Sequence, residues 1–307
     1  NVNVTRFGHV TDGVFDPLES LGGSLLQARA INPAAREVVP REANVVARRQ
    51  TTPLFGLGLI EAIPDDTILA GVSDGKPDGV GGKASMVIDV TLGEECVGRF
   101  GWKAQQATLL AFSADAYLNE MGITNRFFPE ENAPNGKADV LATYDRVADP
   151  EDTIDPDTGK ADIDHSADFM RLLAPARPAP LTANSTLGQA LFSSIGCAVC
   201  HTPSMTTGVS DIAALSEKAV NLYSDLLLHD MGALGDGIVQ GDAGPRDMKT
   251  PPLWGARLSA PYLHDGRAPS LDAAIRAHDG EAAASRARYI GLTAAERLQL
   301  LSFINSL

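Results

Sequence analysis

The chain has 307 residues and a hydrophobic content of 44%, which suit a globular protein with room for two domains of ordinary size. Its 39 acidic and 25 basic residues give a net charge of −14, which argues against nucleic-acid binding because that needs clustered Lys and Arg. No apolar run in the sequence approaches the length of a membrane span, so no membrane-spanning segment is predicted.

The first predicted domain covers residues 1–180. Its opening stretch of about fifty residues shows little periodicity and is predicted to be loop. The apolar run at residues 53–63 predicts a short helix packed in the core, and further helices are predicted over residues 108–121 and 167–173. A proline-rich stretch that ends at Pro180 then marks the domain boundary.

Two acidic loops that contain glycine occupy residues 74–82 and 155–164. Both are similar to calcium-binding loops, but neither completes the spacing with a closing Glu. Acidic turns are therefore the favoured interpretation, and a metal site is the alternative.

The second predicted domain covers residues 181–307 and begins with an amphipathic helix at residues 186–195, which Gly196 closes. The predicted apolar face of this helix consists of Leu187, Ala190, Leu191, Ser194 and Ile195. A short helix is predicted over residues 271–277. A capping box at residues 293–296 opens the terminal helix. Its predicted inward residues are Leu298, Leu301 and either Phe303 or Ile304.

The segment Cys197-Ala-Val-Cys200-His201 has the C-x-x-C-H spacing of a c-type haem attachment site. Two thiols three positions apart can each bond to one vinyl group of the same porphyrin, and the adjacent histidine can coordinate the iron. A zinc site would need more ligands, and only Cys96 remains. A thioredoxin-like site would have a strand before the motif, whereas here a helix precedes it. The motif therefore predicts covalent haem c.

The iron needs a second axial ligand from a segment that folds over the opposite face of the porphyrin. Met205 is too close in sequence to His201 to cross the ring. The remaining candidates are His229, Met231, Met248, His264 and His278. Histidine lowers the reduction potential and methionine raises it, but spacing alone does not choose between these residues.

The cellular location is predicted from the same motif. Haem attachment to C-x-x-C-H normally takes place outside the cytoplasm, which predicts a periplasmic or otherwise exported protein. The chain begins with Asn and shows no signal-peptide pattern, so we expect it to be processed or trimmed. Cys96 is left over, either as a buried thiol or as the partner of a cysteine in a segment outside this sequence.

Four separate stretches carry recognisable motifs. They are Lys-Thr-Pro-Pro-Leu-Trp-Gly-Ala-Arg-Leu-Ser-Ala-Pro-Tyr-Leu-His-Asp-Gly at residues 249–266, Thr-Pro-Leu-Phe-Gly-Leu-Gly-Leu-Ile-Glu-Ala-Ile-Pro at 52–64, Gly-Arg-Phe-Gly-Trp-Lys-Ala at 98–104, and Tyr-Ser-Asp-Leu-Leu-Leu-His-Asp-Met-Gly at 223–232. Together they resemble the bacterial di-haem cytochrome c peroxidase superfamily and, more closely, its di-haem oxidoreductase branch. The resemblance implies a mainly α-helical fold with two cytochrome-c-like domains, long loops and little β-structure.

The resemblance implies a distal iron ligand just after the helix at residues 271–277. Peroxidases carry a methionine there, and this chain has His278. His201 and His278 are therefore the favoured axial pair of a haem that transfers electrons. The resemblance also places His229 and His264 near this haem, beside its ligands or its propionates.

The resemblance further implies a calcium ion between the two haem domains. The backbone carbonyls of Ser259 and Pro261 match two of its ligand positions. Calcium is therefore an expected second cofactor.

In the resembling family, the first domain is peroxidatic and has its own C-x-x-C-H, which for this chain is expected upstream of residue 1. Glu120 matches the acid used in peroxide cleavage, whereas Leu110 stands where peroxidases have a glutamine. Trp102 or Phe100 is predicted to carry electrons between the haems. His9 is an alternative ligand for the upstream-attached haem.

These observations favour a peroxidase-like c-type haem oxidoreductase, in which the C-terminal haem feeds electrons to a second haem in the first domain. The alternative is a non-catalytic electron-transfer cytochrome. A thiol oxidoreductase centred on Cys96 is disfavoured, because a single cysteine cannot cycle through an internal disulfide. The expected partners are a small cytochrome or cupredoxin and a peroxide substrate. His165 lies in an acidic stretch and is predicted to be exposed and inert.

Overall fold

The computed structural model describes residues 3–73, 75–146 and 152–307 of the chain. Its N-terminal part is a four-stranded antiparallel sheet in which the first strand pairs with all the others. The strands are β1 (Asn3–Thr11), β2 (Val14–Asp16), β3 (Leu25–Leu26) and β4 (Val45–Gln50).

The predicted loop over the first fifty residues is therefore wrong. Arg6, Arg48 and Arg49 interrupt the apolar alternation that would have indicated strands. The pairing of β1 with β4 runs from Asn3 opposite Gln50 to Gly8 opposite Val45, and this long-range contact is not visible in local sequence.

The rest of the first half is built from short helices and one hairpin. The helices are α1 (Leu57–Glu61), α2 (Asp65–Leu69), α3 (Leu109–Ala116), α4 (Ala138–Tyr144) and α5 (Asp162–Leu172), and the hairpin joins β5 (Ser85–Asp89) to β6 (Glu94–Gly98). The predicted helices at α1 and α3 are confirmed, and α3 continues as one π-helical turn to Met121. The third predicted helix is confirmed as α5, which starts at Asp162 rather than at residue 167.

The second half contains four helices and short strand pairs among its described residues. The helices are α6 (Ala183–Ser194), α7 (Leu271–Ala277), α8 (Ala283–Gly291) and α9 (Ala294–Ile304), and the strands are β7 (Met205–Thr206), β8 (Ala219–Val220), β9 (Leu228–Asp230) and β10 (Asp247–Lys249). The helices α6, α7 and α9 and the capping box between Thr293 and Glu296 are confirmed. No prediction was made for α8, whose short sequence is largely polar and alanine-rich.

The predicted inward faces of α6 and α9 are partly wrong. Leu187 and Leu298 are 53% and 68% exposed, whereas Phe192 on α6 and Leu300 on α9 are buried. Phe303 and Ile304 are also buried, as predicted. The faces differ because the two helices pack on each other through a small residue, Gly188, which carries no hydrophobic signal.

Two large clusters of buried side chains fill the interior. One combines residues of α1, α3 and α5 with residues between 205 and 227, and therefore draws on both sides of the predicted boundary at residue 180. The other packs α6, α8 and α9 together, with Phe192, Tyr289 and Phe303 at its centre. The described residues contain more helix than strand, but the N-terminal sheet gives more β-structure than expected. The division into domains 1–180 and 181–307 stays a prediction.

Helix–helix contact between α6 and α9 depends on Gly188. A Cβ atom at this position would lie 2.0 Å from the backbone oxygen of Gln299, so Gly188→Ala must push the helices apart. We expect a loss of about 1–3 kcal/mol in the free energy of unfolding, the usual cost of overpacking. Thermal unfolding of Gly188→Ala measures this. The matched control is Gly291→Ala, whose new methyl group meets nothing within 4 Å; equal melting temperatures for the two variants would contradict the prediction.

None of the helices in the described part of the chain combines the length and the apolar character that a bilayer span requires.

Candidate haem-binding site

The C-x-x-C-H segment follows α6 at a sharp bend. Gly196 has a φ of 93°, a left-handed conformation that glycine adopts without steric cost, and a single 3₁₀ turn from Cys197 to Val199 comes next. The amide of His201 donates to the carbonyl of Cys197 at 2.9 Å. This turn brings Cys197, Cys200 and His201 to the wall of one cavity of about 550 Å³.

The imidazole of His201 has a fixed orientation. Its Nδ1 donates to the backbone oxygen of Tyr223 at 2.9 Å, so the proton is on Nδ1 and Nε2 is left as a free electron-pair donor. Burial lowers the pKa of His201 to about 4, although the hydrogen bond to Tyr223 opposes this shift. His201 is therefore neutral at physiological pH, which is the form that binds iron.

His278 lies directly after α7 and lines the same cavity. Its Nδ1 donates to the backbone oxygen of Ala274 at 2.8 Å, which again leaves Nε2 free, and burial lowers its pKa. A charge on His278 would lower the pKa of His201, because both side chains line this one cavity. The structure thus brings together the two residues predicted as axial ligands; their binding to iron stays a prediction.

The other candidate ligands also line this cavity, but His229 is engaged elsewhere. Its Nε2 contacts Asp225 at 2.9 Å and its Nδ1 contacts Glu281 at 2.8 Å, so both ring nitrogens are occupied. Burial disfavours the imidazolium, yet hydrogen bonds with Asp225 and Cys200 raise the pKa of His229 to about 11. His229 is therefore a cation beside Cys200 and has no free nitrogen for iron.

One group of metal-ligand type occurs among the described residues, formed by Cys200, Asp225 and His229. Their ligand atoms lie within 4.8 Å of one another. Attachment of a haem vinyl group would convert the Cys200 thiol to a thioether, which is a far weaker ligand than a thiolate. The group is therefore better described as a polar contact network, in which Asp225 contacts His229 and His229 contacts Cys200.

The walls of the cavity are largely apolar, with Phe192, Leu271, Ile275 and Ile304 among them. Lys249 is one of the charged residues that also line it, a buried amine whose pKa falls to about 8 because of burial, with Asp225 opposing the shift. Neutral imidazoles with free Nε2 atoms, two adjacent thiols and apolar walls fit a c-type haem. A buried cation in the wall suits the propionates of such a group.

A second cavity of about 780 Å³ lies on the side of the N-terminal sheet. Trp102 lines both cavities, its indole Nε1 donates to the backbone oxygen of Gln50 at 2.7 Å, and its ring meets His264 edge-on at 6.2 Å. Phe100, the other predicted bridge, lines the first cavity and packs on Phe112. Trp102 is therefore positioned between the cavities, as its predicted role requires.

Glu120 lies at the exposed mouth of the second cavity, at the end of the π-helical turn that extends α3. Partial burial of its carboxyl, assisted by the charge of Asp115 and opposed by Arg6, raises the pKa of Glu120 above its ordinary value. Leu110 packs against the hydrophobic core and does not line this cavity, whereas Gln105 does. The amide side chain of Gln105 thus lines the cavity, although Gln105 is not at the sequence position where peroxidases have their glutamine.

The remaining predicted residues have less direct outcomes. His9 is not part of either cavity lining, and its Nδ1 contacts the backbone oxygen of Glu42. His165 is exposed as predicted, but it also lines the second cavity. Ser259 and Pro261 line the first cavity, and the Pro261 carbonyl already accepts a hydrogen bond from Gln50 at 2.9 Å. Calcium binding there stays a prediction.

Each acidic loop contributes one residue to a cavity wall, Val80 to the first cavity and Asp162 to the second, whereas Cys96 lines neither. Asp74 is outside the described residues, Asp78 of the same loop pairs with Arg288 at 2.6 Å, and Asp164 of the second loop pairs with Arg126 at 2.7 Å. Cys96 lies on β6, where burial and neighbouring carboxylates raise its pKa. A raised pKa leaves less of this thiol in the nucleophilic thiolate form, which disfavours the thiol-oxidoreductase hypothesis.

Several residues of both cavities could not be predicted from the sequence. Tyr223 orients His201 through its backbone, which no side-chain pattern reveals. Arg6, Arg49 and Lys249 are buried or half-buried cations in cavity walls, and Glu281 holds His229 from a distant segment. Their contacts are all long-range, so local periodicity carried no signal for them.

Fold and site together define a haem-binding, cytochrome-c-like class of protein. Within that class, the chain belongs to the family described as "Di-haem oxidoreductase, putative peroxidase", whose model matches residues 35–307. The predicted family is therefore confirmed, and membership implies haem as the cofactor.

Individual relatives agree with this assignment. The chain is 27% identical over 182 residues to cytochrome c peroxidase Ccp of Escherichia coli (strain K12). The matched region covers 57% of this chain and 38% of that enzyme. The chain thus spans well under two thirds of the length of this curated relative.

Two solved structures show weaker similarity. A MauG-like protein associated with microbial copper homeostasis has 16% identity and a TM-score of 0.42, covering 84% of this chain and 90% of its own. The hydrazine synthase of Kuenenia stuttgartiensis has 19% identity and a TM-score of 0.35, covering 47% of this chain and 55% of its own.

Proposed function

We propose that this protein is a peroxidase-like oxidoreductase that passes electrons from a haem in the first cavity to a haem in the second cavity. Haem c supplies one-electron redox chemistry when bound at such sites. The observation that carries the proposal is the position of Trp102, which lines both cavities and is held by a hydrogen bond to Gln50. An aromatic side chain shared by two redox sites provides a route for electrons between them.

In the first cavity, Cys197 and Cys200 would hold the porphyrin and His201 and His278 would bind the iron from opposite faces. Each imidazole is neutral and has its Nδ1 proton committed to a backbone oxygen, so each presents Nε2 to the metal. Two such ligands leave no position for peroxide. These residues therefore favour electron transfer at this site.

In the second cavity, Glu120 would act as the acid–base group. Reduction of hydrogen peroxide to two waters consumes two electrons and two protons, and a carboxylate can take a proton from one peroxide oxygen and return it to the other. The raised pKa of Glu120 suits this role, because a carboxyl that is harder to ionise releases and takes up its proton at a higher pH than an ordinary glutamate. Arg6 and Gln105 are among the polar residues that line the same cavity.

The alternative is a cytochrome that transfers electrons and catalyses nothing. Leu110, at the position of the peroxidase glutamine, is partly buried and packs against the hydrophobic core instead of lining the second cavity. The position of Leu110 favours the alternative, and Glu120 with its raised pKa favours the enzyme.

Peroxide-driven reoxidation of the reduced protein distinguishes the two functions. The purified protein is reduced anaerobically and mixed with hydrogen peroxide, and oxidation of the His201 haem is followed by stopped-flow absorbance. We expect oxidation whose rate rises with peroxide concentration and falls in Trp102→Leu, while ferricyanide oxidises both forms equally well. Trp254→Leu is the control, because Trp254 lines only the first cavity. No dependence on peroxide would favour the electron-transfer cytochrome.

The partner and location proposals follow from charge and chemistry. A net charge of −14 favours a basic redox partner, such as a small cytochrome or cupredoxin. Attachment of haem to C-x-x-C-H supports a periplasmic or otherwise exported protein. A calcium ion at the Ser259 and Pro261 carbonyls remains part of the proposal, since the latter carbonyl has a second lone pair beyond its bond to Gln50.

A further inference from the structure

Two arginines of the N-terminal sheet lie in the wall of the second cavity. Val4 on β1 is opposite Arg49 on β4, and Arg6 is opposite Ala47. Because side chains of a strand alternate between faces, Arg6 and Arg49 are diagonal neighbours on one face of the sheet. Both line the cavity. Burial, and then the charge of Arg49, lower the pKa of Arg6 to about 10.

Arg49 is 3% exposed, and its hydrogen-bonding capacity is only partly used. Its Nε donates to Asp236 at 2.7 Å and its Nη1 donates to Gln240 at 2.8 Å. Its Nη2 is buried and has no hydrogen-bond partner among the described residues. A buried donor without a partner is costly, so an acceptor supplied by a ligand in the adjoining cavity would stabilise it.

Arg6 has spare capacity of the same kind. Its one hydrogen bond in the described part of the chain is a long contact of 3.4 Å from Nη1 to the Ser24 hydroxyl, and it forms no ion pair there. Asp236 is shared between Arg49 and Lys103, whose Nζ lies 3.1 Å from the carboxylate. Arg6 also interacts electrostatically with Asp115, Glu120 and Asp236, so carboxylates accompany the cations here. What the cluster offers a ligand is therefore the unused N–H groups of Arg6 and Arg49, both of which line the cavity.

We propose that Arg6 and Arg49 form a carboxylate-binding site in the wall of the second cavity. A guanidinium donates two parallel N–H groups to a carboxylate, and two guanidiniums on one sheet face can share a single anion. The identity of the carboxylate rests on the proposed function. It is either a propionate of a haem in this cavity or the acid group of a small-molecule substrate.

Isothermal titration calorimetry with two pairs of probes distinguishes these sources. The experiment uses protein that has been produced with haem attached at Cys197 and Cys200, so that the first cavity is filled. The first pair is haemin and its dimethyl ester, which differ only in whether the propionates are charged. The second pair is succinate and succinamide, which differ in the same way without a porphyrin.

Three variants distinguish a specific contribution of Arg6 and Arg49 to binding from a nonspecific effect of positive charge. Arg6→Gln removes a guanidinium that has no ion pair to lose, and Arg49→Lys keeps a cation near Asp236 while removing the Nη2 donor. Each should weaken binding of the charged probe about tenfold or more and leave the uncharged probe unchanged, because a charged hydrogen bond is lost. Arg48→Gln is the matched control, since Arg48 is exposed and lies on the opposite face of β4 from Arg49.

Each outcome has a definite meaning. A preference for haemin over its ester that depends on Arg6 and Arg49 assigns the site to a porphyrin propionate. A preference for succinate over succinamide with the same dependence assigns it to a substrate. If folded Arg6→Gln binds all four probes as the parent does, the site does not exist. Binding is measured without peroxide, so failure of the peroxidase proposal would leave this result intact.

Discussion

Replacing His278 with alanine is expected to convert the haem at Cys197 and Cys200 from low spin to high spin. The Nε2 atom of His278 is free because Nδ1 donates to Ala274, and its imidazole is neutral because burial lowers its pKa. Its loss leaves one axial position to water or to nothing, both weak ligands. Optical and electron paramagnetic resonance spectra of the oxidised protein measure the change. His278→Met should instead stay low spin with a raised reduction potential.

The control for this prediction is another histidine of the same cavity. His264 is buried and its ring packs edge-on against Trp102, and the family resemblance places it beside the haem rather than on the iron. His264→Ala should therefore remain low spin. A low-spin spectrum in His278→Ala would show that a different residue binds the iron, and a high-spin spectrum in His264→Ala would identify it.

The sequence was sufficient to predict features that depend on neighbouring residues. The C-x-x-C-H motif identifies the two cysteines and the histidine directly, and the capping box at Thr293 and Glu296 opens α9 as predicted. Helices α1, α3 and α7 were found because apolar periodicity or capping marks them locally. These features depend on contacts within a few residues, so they need no knowledge of the fold.

The sequence was insufficient where the site depends on long-range pairing. Five residues were candidates for the distal ligand, and His229 is excluded only because Asp225 and Glu281 occupy both of its nitrogens. The N-terminal strands were missed because their arginines break the apolar alternation, and it is the register of β1 with β4 that places Arg6 beside Arg49. The inward face of α6 was misjudged because Gly188, its contact with α9, has no side chain to signal burial.

Replacing Glu120 with glutamine is expected to lower peroxide turnover by about 10²-fold or more, the usual contribution of a general acid–base group. Glutamine keeps the size and polarity of the side chain at the mouth of the second cavity but cannot accept and return a proton. Steady-state reduction of hydrogen peroxide by the protein with a reduced cytochrome donor measures the effect. The matched control is Glu130→Gln, a change of the same chemistry at an exposed position outside the cavity lining.

The pH dependence of turnover separates this role from a merely structural one. The carboxylate form of Glu120 must take the first proton, so activity should be lost as the pH falls through its pKa. Because burial and the charge of Asp115 raise that pKa, the acid limb should lie at higher pH than for an ordinary glutamate. Glu120→Gln should show low turnover and no such limb. If it retains both the rate and the limb of the parent, the acid–base group is another residue of the cavity.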